Sequence, residues 1–411
     1  MVYALPVGIA TSLRQMTGRD PNEEERGASD LEVFYDLVFV VAFSIAGVQL
    51  AEYLAEGHYR TAIIGYGIAT FAAVWAWINF AWFSSAFDTD DWVYRLLTLV
   101  QMIGVAIIAI GMPAVFESID ADEHVDIAVV VIGYLVMRAA MIVQWLRAAA
   151  QAREYRATAL TYALMTAIAQ VGWVVVAALP LDLMPTLVGI AVCMAIELLG
   201  PGIAETRFAS TPWHPGHIVE RYSTLVVITL GEGVVGTVAV LQAIIGNTGW
   251  SVETAALGLA AMGVTFAMWW LYFGLDVGRP LAQRPGRSFV FGYGSMLIVV
   301  SCAAVGSGIH LIALWLEKET AISEIAVYAA IAIPLTIFCL GTIAMYYFLA
   351  GMDRRLIPLV FASMVPLILG AVIAAAGANL LVAAMVGCLA PVMAVLVVEV
   401  SVRLAVPRSS R

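Results

Sequence analysis

Apolar residues in this chain neither alternate nor recur at a one-sided helical spacing. They fill whole stretches on every face, as in "GWVVVAAL" from Gly172 to Leu179. A segment apolar all round suits lipid, where the backbone must satisfy its own hydrogen bonds as a helix or a closed barrel. Barrel strands alternate apolar and polar residues and these runs do not, so the pattern predicts helices. About 20 apolar residues cross roughly 30 Å of hydrocarbon. On that measure the chain predicts twelve spans, at 31–55, 61–84, 92–116, 126–150, 157–179, 184–203, 217–243, 252–274, 288–315, 322–350, 355–377 and 379–405.

Composition turns the pattern into a class. With 62% hydrophobic and 12% charged residues and a mean hydropathy of +0.94, against roughly 25% charged residues in a soluble domain, an all-α polytopic protein of the lipid bilayer is expected. Arg14 to Arg26 is polar and mixed in charge, so no signal peptide is predicted. Cys193, Cys302, Cys339 and Cys388 lie in apolar runs without C-x-x-C spacing. They read as small buried hydrophobes, with no disulfide, zinc site or other cofactor expected. The net charge of −10 arises partly in the acidic loop Glu117 to Asp126 and offers nothing to nucleic acid.

Charge also predicts orientation. With the N-terminus in the cytoplasm, of the 20 Lys and Arg residues only Arg60 and Lys318 fall outside, while Arg138 and Arg221 fall within spans. That is a strong positive-inside bias, and it puts both termini in the cytoplasm. A second regularity is internal. "LEVFYDLVFVVAF" at Leu31 matches "VERYSTLVVITLG" at Val219, with Glu32 on Glu220, Leu37 on Leu225 and Val38 on Val226. Further on, Trp77 matches Trp269, Arg95 matches Arg287 and Glu197 matches Glu399, in order. An even number of spans per copy makes such repeats parallel. The expected organisation is a cytoplasmic segment 1–30, six-helix repeats at 31–205 and 206–405, and a cytoplasmic tail 406–411.

The candidate chemistry is what the apolar runs ought not to contain. "WHPGHIVERYSTLVVITLGEG" from Trp213 to Gly233 carries His217, Glu220, Arg221 and Glu232, although an ionised side chain at the bilayer centre costs at least about 2.5 kcal/mol. The predicted topology sets Glu32, Asp36, Arg95, His217, Glu220, Arg221 and Arg287 at similar depth near the cytoplasmic face. Glu32 and Asp36 share a helical face at i, i+4, and two acids that close call for a cation, a proton or an arginine. A salt-bridge lattice with Arg95 and Arg221, tying two halves together, competes here with a binding site. Glu232 falls near mid-membrane, where a buried pair with Arg138 competes with a protonatable or ion-coordinating carboxylate. In "FDTDD", Asp88 and Asp91 can hold a metal with a diphosphate, or Asp90 or Asp91 can cap the third helix. His214, His217 and Glu220 are a weaker metal set, since Pro215 separates the histidines and the spacing is not H-E-x-x-H.

Three stretches carry a resemblance: "LEVFYDLVFVVAF", "SSAFDTDDWVYRLLTLVQMIGV" and "HIVERYSTLVVITLGEG". In them the chain resembles the bacterial low temperature requirement A family of membrane proteins. "MWWLYFG" agrees more loosely, with Gly274 where the family carries an acid and Asp276 two residues on. The resemblance implies a polytopic protein of a bacterial cytoplasmic (inner) membrane. It marks Glu32, Asp36, Asp88, Asp91, Arg95, His217, Glu220, Arg221 and Glu232 as the residues shared with the family. Two functions follow as expectations: a transporter or channel for a small solute or ion, or a membrane-embedded enzyme or lipid-binding protein using the cytoplasmic cluster, with a divalent metal on Asp88 and Asp91. The first has its polar centre between two halves. Neither excludes an oligomer.

Overall fold

The computed structural model describes residues 13–23, 26–122, 124–351 and 356–405. These form helices α1 (Asp30–Ala55), α2 (Tyr59–Phe87), α3 (Trp92–Asp120), α4 (Ala128–Gln151), α5 (Arg156–Ala178), α6 (Leu183–Arg207), α7 (Pro215–Thr248), α8 (Val252–Gly274), α9 (Gly278–Gln283), α10 (Ser288–Leu316), α11 (Glu324–Ala350), α12 (Leu356–Ala375), α13 (Leu380–Gly387) and α14 (Leu389–Ala405). Among the described residues, twelve stretches are long and apolar enough to cross a membrane. They coincide with the twelve predicted spans, because length and hydropathy are local properties. The twelfth span differs in one respect: it is broken at Cys388 into α13 and α14. Pro391 has no N–H for the Gly387 carbonyl, and this interrupts the ladder there. Arg354 and Arg355, which count toward the predicted charge bias, and the predicted tail 406–411 lie outside the described residues.

The helices gather into two compact units, Met1–Phe39 with Ala76–Ile218, and Val40–Trp75 with Val219–Arg411. In the first, α3 and α4 meet backbone to backbone. A Cβ on Gly104 would lie 2.6 Å from the Gly133 carbonyl oxygen, and one on Gly133 would lie 2.6 Å from that of Gly104. Such small-residue seams let helices associate where burial from water supplies no drive. Gly104→Leu should therefore lower the thermal unfolding temperature of the detergent-purified protein clearly, whereas Gly67→Leu, with nothing within 4 Å of its added Cβ, should leave it near wild type. The second unit uses the same device, with Gly308 against the Ala330 carbonyl oxygen between α10 and α11.

Candidate functional site

The first unit is closed at one end by the chain before α1. Ser29 and Glu32 form a capping box at the start of α1: the Ser29 hydroxyl accepts from the Glu32 amide at 3.3 Å, and Glu32 Oε2 accepts from the Ser29 amide at 2.8 Å. The same oxygen faces His217 Nε2 at 3.2 Å, and both side chains are fully buried. Facing a carboxylate, His217 Nε2 carries the proton. Arg26 spends its guanidinium on the carbonyls of Ser84 and Ser85, and the Arg19 amide donates to that of Ala86 at 3.0 Å. These carbonyls lie in the last turn of α2, where carbonyls outnumber the amides that follow and the helix end is negative, which is why basic groups settle there. Burial pulls the Arg26 pKa down. His214 caps α7: its Nδ1 accepts from the His217 amide at 3.0 Å and its Nε2 donates to the Glu23 carbonyl at 3.0 Å. Both ring nitrogens are thus occupied, and Glu220 is exposed, so the proposed His214, His217 and Glu220 metal set does not assemble.

The "FDTDD" loop between α2 and α3 divides its three aspartates among three tasks. Asp91 is the N-cap of α3, accepting from the Tyr94 amide at 2.9 Å. It also accepts from Arg147 on both oxygens and from the Arg14 amide at 3.1 Å. Burial acts to raise its pKa, but Arg147 and the two amides outweigh this and hold it at about 2. Asp90, at φ 46°, forms a bidentate pair with Arg95 at 2.8 Å on an exposed surface. Arg95 therefore stands outside the buried cluster it was expected to join. Asp88 is pushed up to about 6, first by burial and then by Glu32, against the pull of its bond from the Asp90 amide and of Arg26 and Arg19. Folded Asp88 holds its proton more tightly than the unfolded chain, whose ordinary aspartate value is 3.8. Its stabilising contribution is thus complete below that pH and is lost as pH rises to about 6. Melting temperatures of Asp88→Asn across this window should lack the part of the decline that wild type shows.

Deeper in the first unit the polar groups are all buried. Trp77 Nε1 donates to Asp36 Oδ1 at 2.6 Å. Tyr35 donates to Gln101 Oε1 at 3.3 Å, and Gln101 Nε2 to Gln144 Oε1 at 2.9 Å. Beyond them Glu197 of α6 accepts four hydrogen bonds. Arg138 and Tyr134 of α4 each donate to Oε2 at 2.7 Å, and Gln170 and Trp173 of α5 each donate to Oε1 at 3.1 Å. A carboxylate offers about four lone-pair positions, and here all are used. Arg138 is thus the partner of Glu197, which corrects the buried Arg138–Glu232 pair, one of the two alternatives read from the sequence. Glu197 drew notice in the sequence only as a repeat marker, because nothing local says which buried acid an arginine two helices away will meet. Ser29 was legible as S-x-x-E before an apolar run, and Arg147 carried no such signal.

The second unit holds Arg221, fully buried, and Glu232, 9% exposed, on α7. The Ser44 hydroxyl of α1 is a polar neighbour of Glu232. Tyr66 donates to the Val300 carbonyl at 2.8 Å.

Apolar helices long enough to cross a bilayer, with ionised and polar side chains folded into their interiors, define a multi-span membrane protein built around a buried polar network. The family model described as bacterial low temperature requirement A protein (LtrA) matches residues 27–398. The chain belongs to that family. It is also similar to the uncharacterized protein RA0937 of Rhizobium meliloti (strain 1021), 32% identical over 100 residues, which is 24% of this chain and 24% of that one. The match thus spans about a quarter of that relative's length.

Proposed function

We propose that the protein moves a small solute or ion across the bacterial cytoplasmic membrane, with both termini in the cytoplasm and two parallel six-helix repeats. The observation that carries this reading is the burial of Asp36, Arg138, Glu197, Arg221 and Glu232 inside helices that are otherwise apolar. Such groups are costly in hydrocarbon, and where proteins keep them they commonly serve substrate and ion pathways. The proposed binding groups are Glu32, Asp36 and His217 in the first unit and, separately, Arg221 and Glu232 in the second. Asp88 is a titrating neighbour of Glu32. The rival reading, a divalent metal on Asp88 and Asp91, is disfavoured because the Asp91 oxygens are taken up by Arg147, Arg14 and the cap of α3.

Purified protein in proteoliposomes, screened with labelled small ions and solutes, should show flux above empty vesicles. Glu32→Gln, Asp36→Asn and Glu232→Gln should each reduce that flux at least about tenfold, the cost of one lost charged contact of about 1.4 kcal/mol or more. Wild-type rates in all three would remove these residues from the path.

A further inference from the structure

Two acids sit deep in the spans, and their surroundings are opposite. Glu197 is saturated by four donors including a guanidinium, an arrangement that suits only the ionised form. Glu232, near the middle of α7 and nine-tenths buried, has the Ser44 hydroxyl of α1 as a neighbour, and the Ser307 hydroxyl of α10 lies on the same side of Gly47. Among the described residues, the titratable groups on which its charge acts are Tyr66 of α2 and Cys302 of α10, and neither can carry a positive charge in any protonation state; His310 lies one turn beyond Gly306 on α10, its amide against Gly236 rather than Glu232. Gly47 of α1 comes within 4.0 Å of Glu232 Oε2 measured from an added Cβ. On α10, Gly306 lies so close that its Cβ would be 2.6 Å from the Glu232 carbonyl carbon.

An ionised carboxylate in such a place lacks a cation, and a neutral one needs none. A metal cation would ask for several oxygen ligands, as the six to eight typical of calcium illustrate, and among the described residues no cluster of three or more His, Cys, Asp or Glu side chains gathers here. A proton needs only the carboxylate. We infer that Glu232 is the proton-binding group of this protein, taking up a proton from water on one side of the membrane and returning it on the other, so that movement of the solute is coupled to protons. The O–H bond forms on a carboxylate oxygen and breaks again with no change of oxidation state. The Ser44 hydroxyl can donate to either form. Because Gly306 sets α10 directly on the Glu232 backbone, the change of charge occurs at a helix seam, where it alters packing between α1, α7 and α10.

The coupling rests on the transport reading, while protonation of Glu232 can be measured without it. Infrared difference spectra of the full chain in lipid vesicles, recorded across a pH titration, should show the C=O band of a protonated carboxyl group that disappears as pH rises. Glu232→Gln should abolish that band, Glu232→Asp should shift it, and Glu197→Gln should leave it in place. Absence of a titrating band removable by Glu232→Gln, or its displacement by sodium at constant pH, would overturn the inference. If the band titrates as expected but a pH dye trapped in the vesicles records no proton movement with any solute, the proton site stands and the transport reading falls.

Discussion

Replacing Arg138 with leucine should destabilise the protein by about 3–5 kcal/mol, the usual cost of removing one partner from a buried ion pair. Arg138 and Glu197 are both nearly inaccessible, at 2% and 3% side-chain exposure. The variant removes the guanidinium from Glu197 and leaves it the neutral donors Tyr134, Gln170 and Trp173. Glu197→Leu should cost a comparable amount, since it strands the guanidinium and those three donors together. The double variant Arg138→Leu with Glu197→Leu should recover part of the loss, because no charge is then buried alone. Full recovery is not expected, as Tyr134, Gln170 and Trp173 would still lack their acceptor. Chemical unfolding in mixed micelles, followed by tryptophan fluorescence, gives the three free energies. Strictly additive losses would show that the pair acts through something other than its mutual contact.

The second large effect belongs to Asp91. Asp91→Ala removes the cap of α3, worth about 0.5–2 kcal/mol, and deprives Arg147, itself 10% exposed, of its carboxylate. A total loss of about 2–4 kcal/mol is expected from the cap and the partly buried pair together. The same carboxylate holds the Arg14 amide, and Arg147 also donates to the Arg14 carbonyl at 2.8 Å. Trypsin should therefore cut at Arg14 and Arg19 several-fold faster in the variant, well before global unfolding. Asp91→Asn retains an acceptor for the Tyr94 amide and should fall between the two. The ionised Asp91 contributes fully above its ordinary value of 3.8, and that contribution is lost as pH falls toward about 2. Cleavage at Arg14 in wild type should accelerate over that acid range with an acid-tolerant protease of matching specificity. A rate indifferent to both the variant and the pH would detach the segment from Asp91.

The pH responses of the two aspartates run in opposite directions for a physical reason. Asp91 is surrounded by donors and a guanidinium that favour its charge, whereas Asp88 is buried beside Glu32, which opposes a second charge. The sequence places them three residues apart in "FDTDD" and gives both the same apparent chemistry. Arg95 follows the same logic: it stays on the surface with Asp90, its neighbour in the loop, while Arg147, far along the chain, reaches the buried acid.

Sequence by itself determined which twelve stretches of the described residues are helices long and apolar enough to cross a bilayer. It also determined that α3 begins behind an aspartate, and which polar residues are too costly to face lipid, because hydropathy, capping and desolvation are decided within a few residues. Tertiary structure alone decided the partners: Glu197 for Arg138, Trp77 for Asp36, His217 for Glu32, and Ser44 for Glu232. Each is a meeting of different helices. Which faces meet depends on helix rotation and on close glycine contacts such as Gly104 with Gly133, and that geometry is not contained in the composition of either helix.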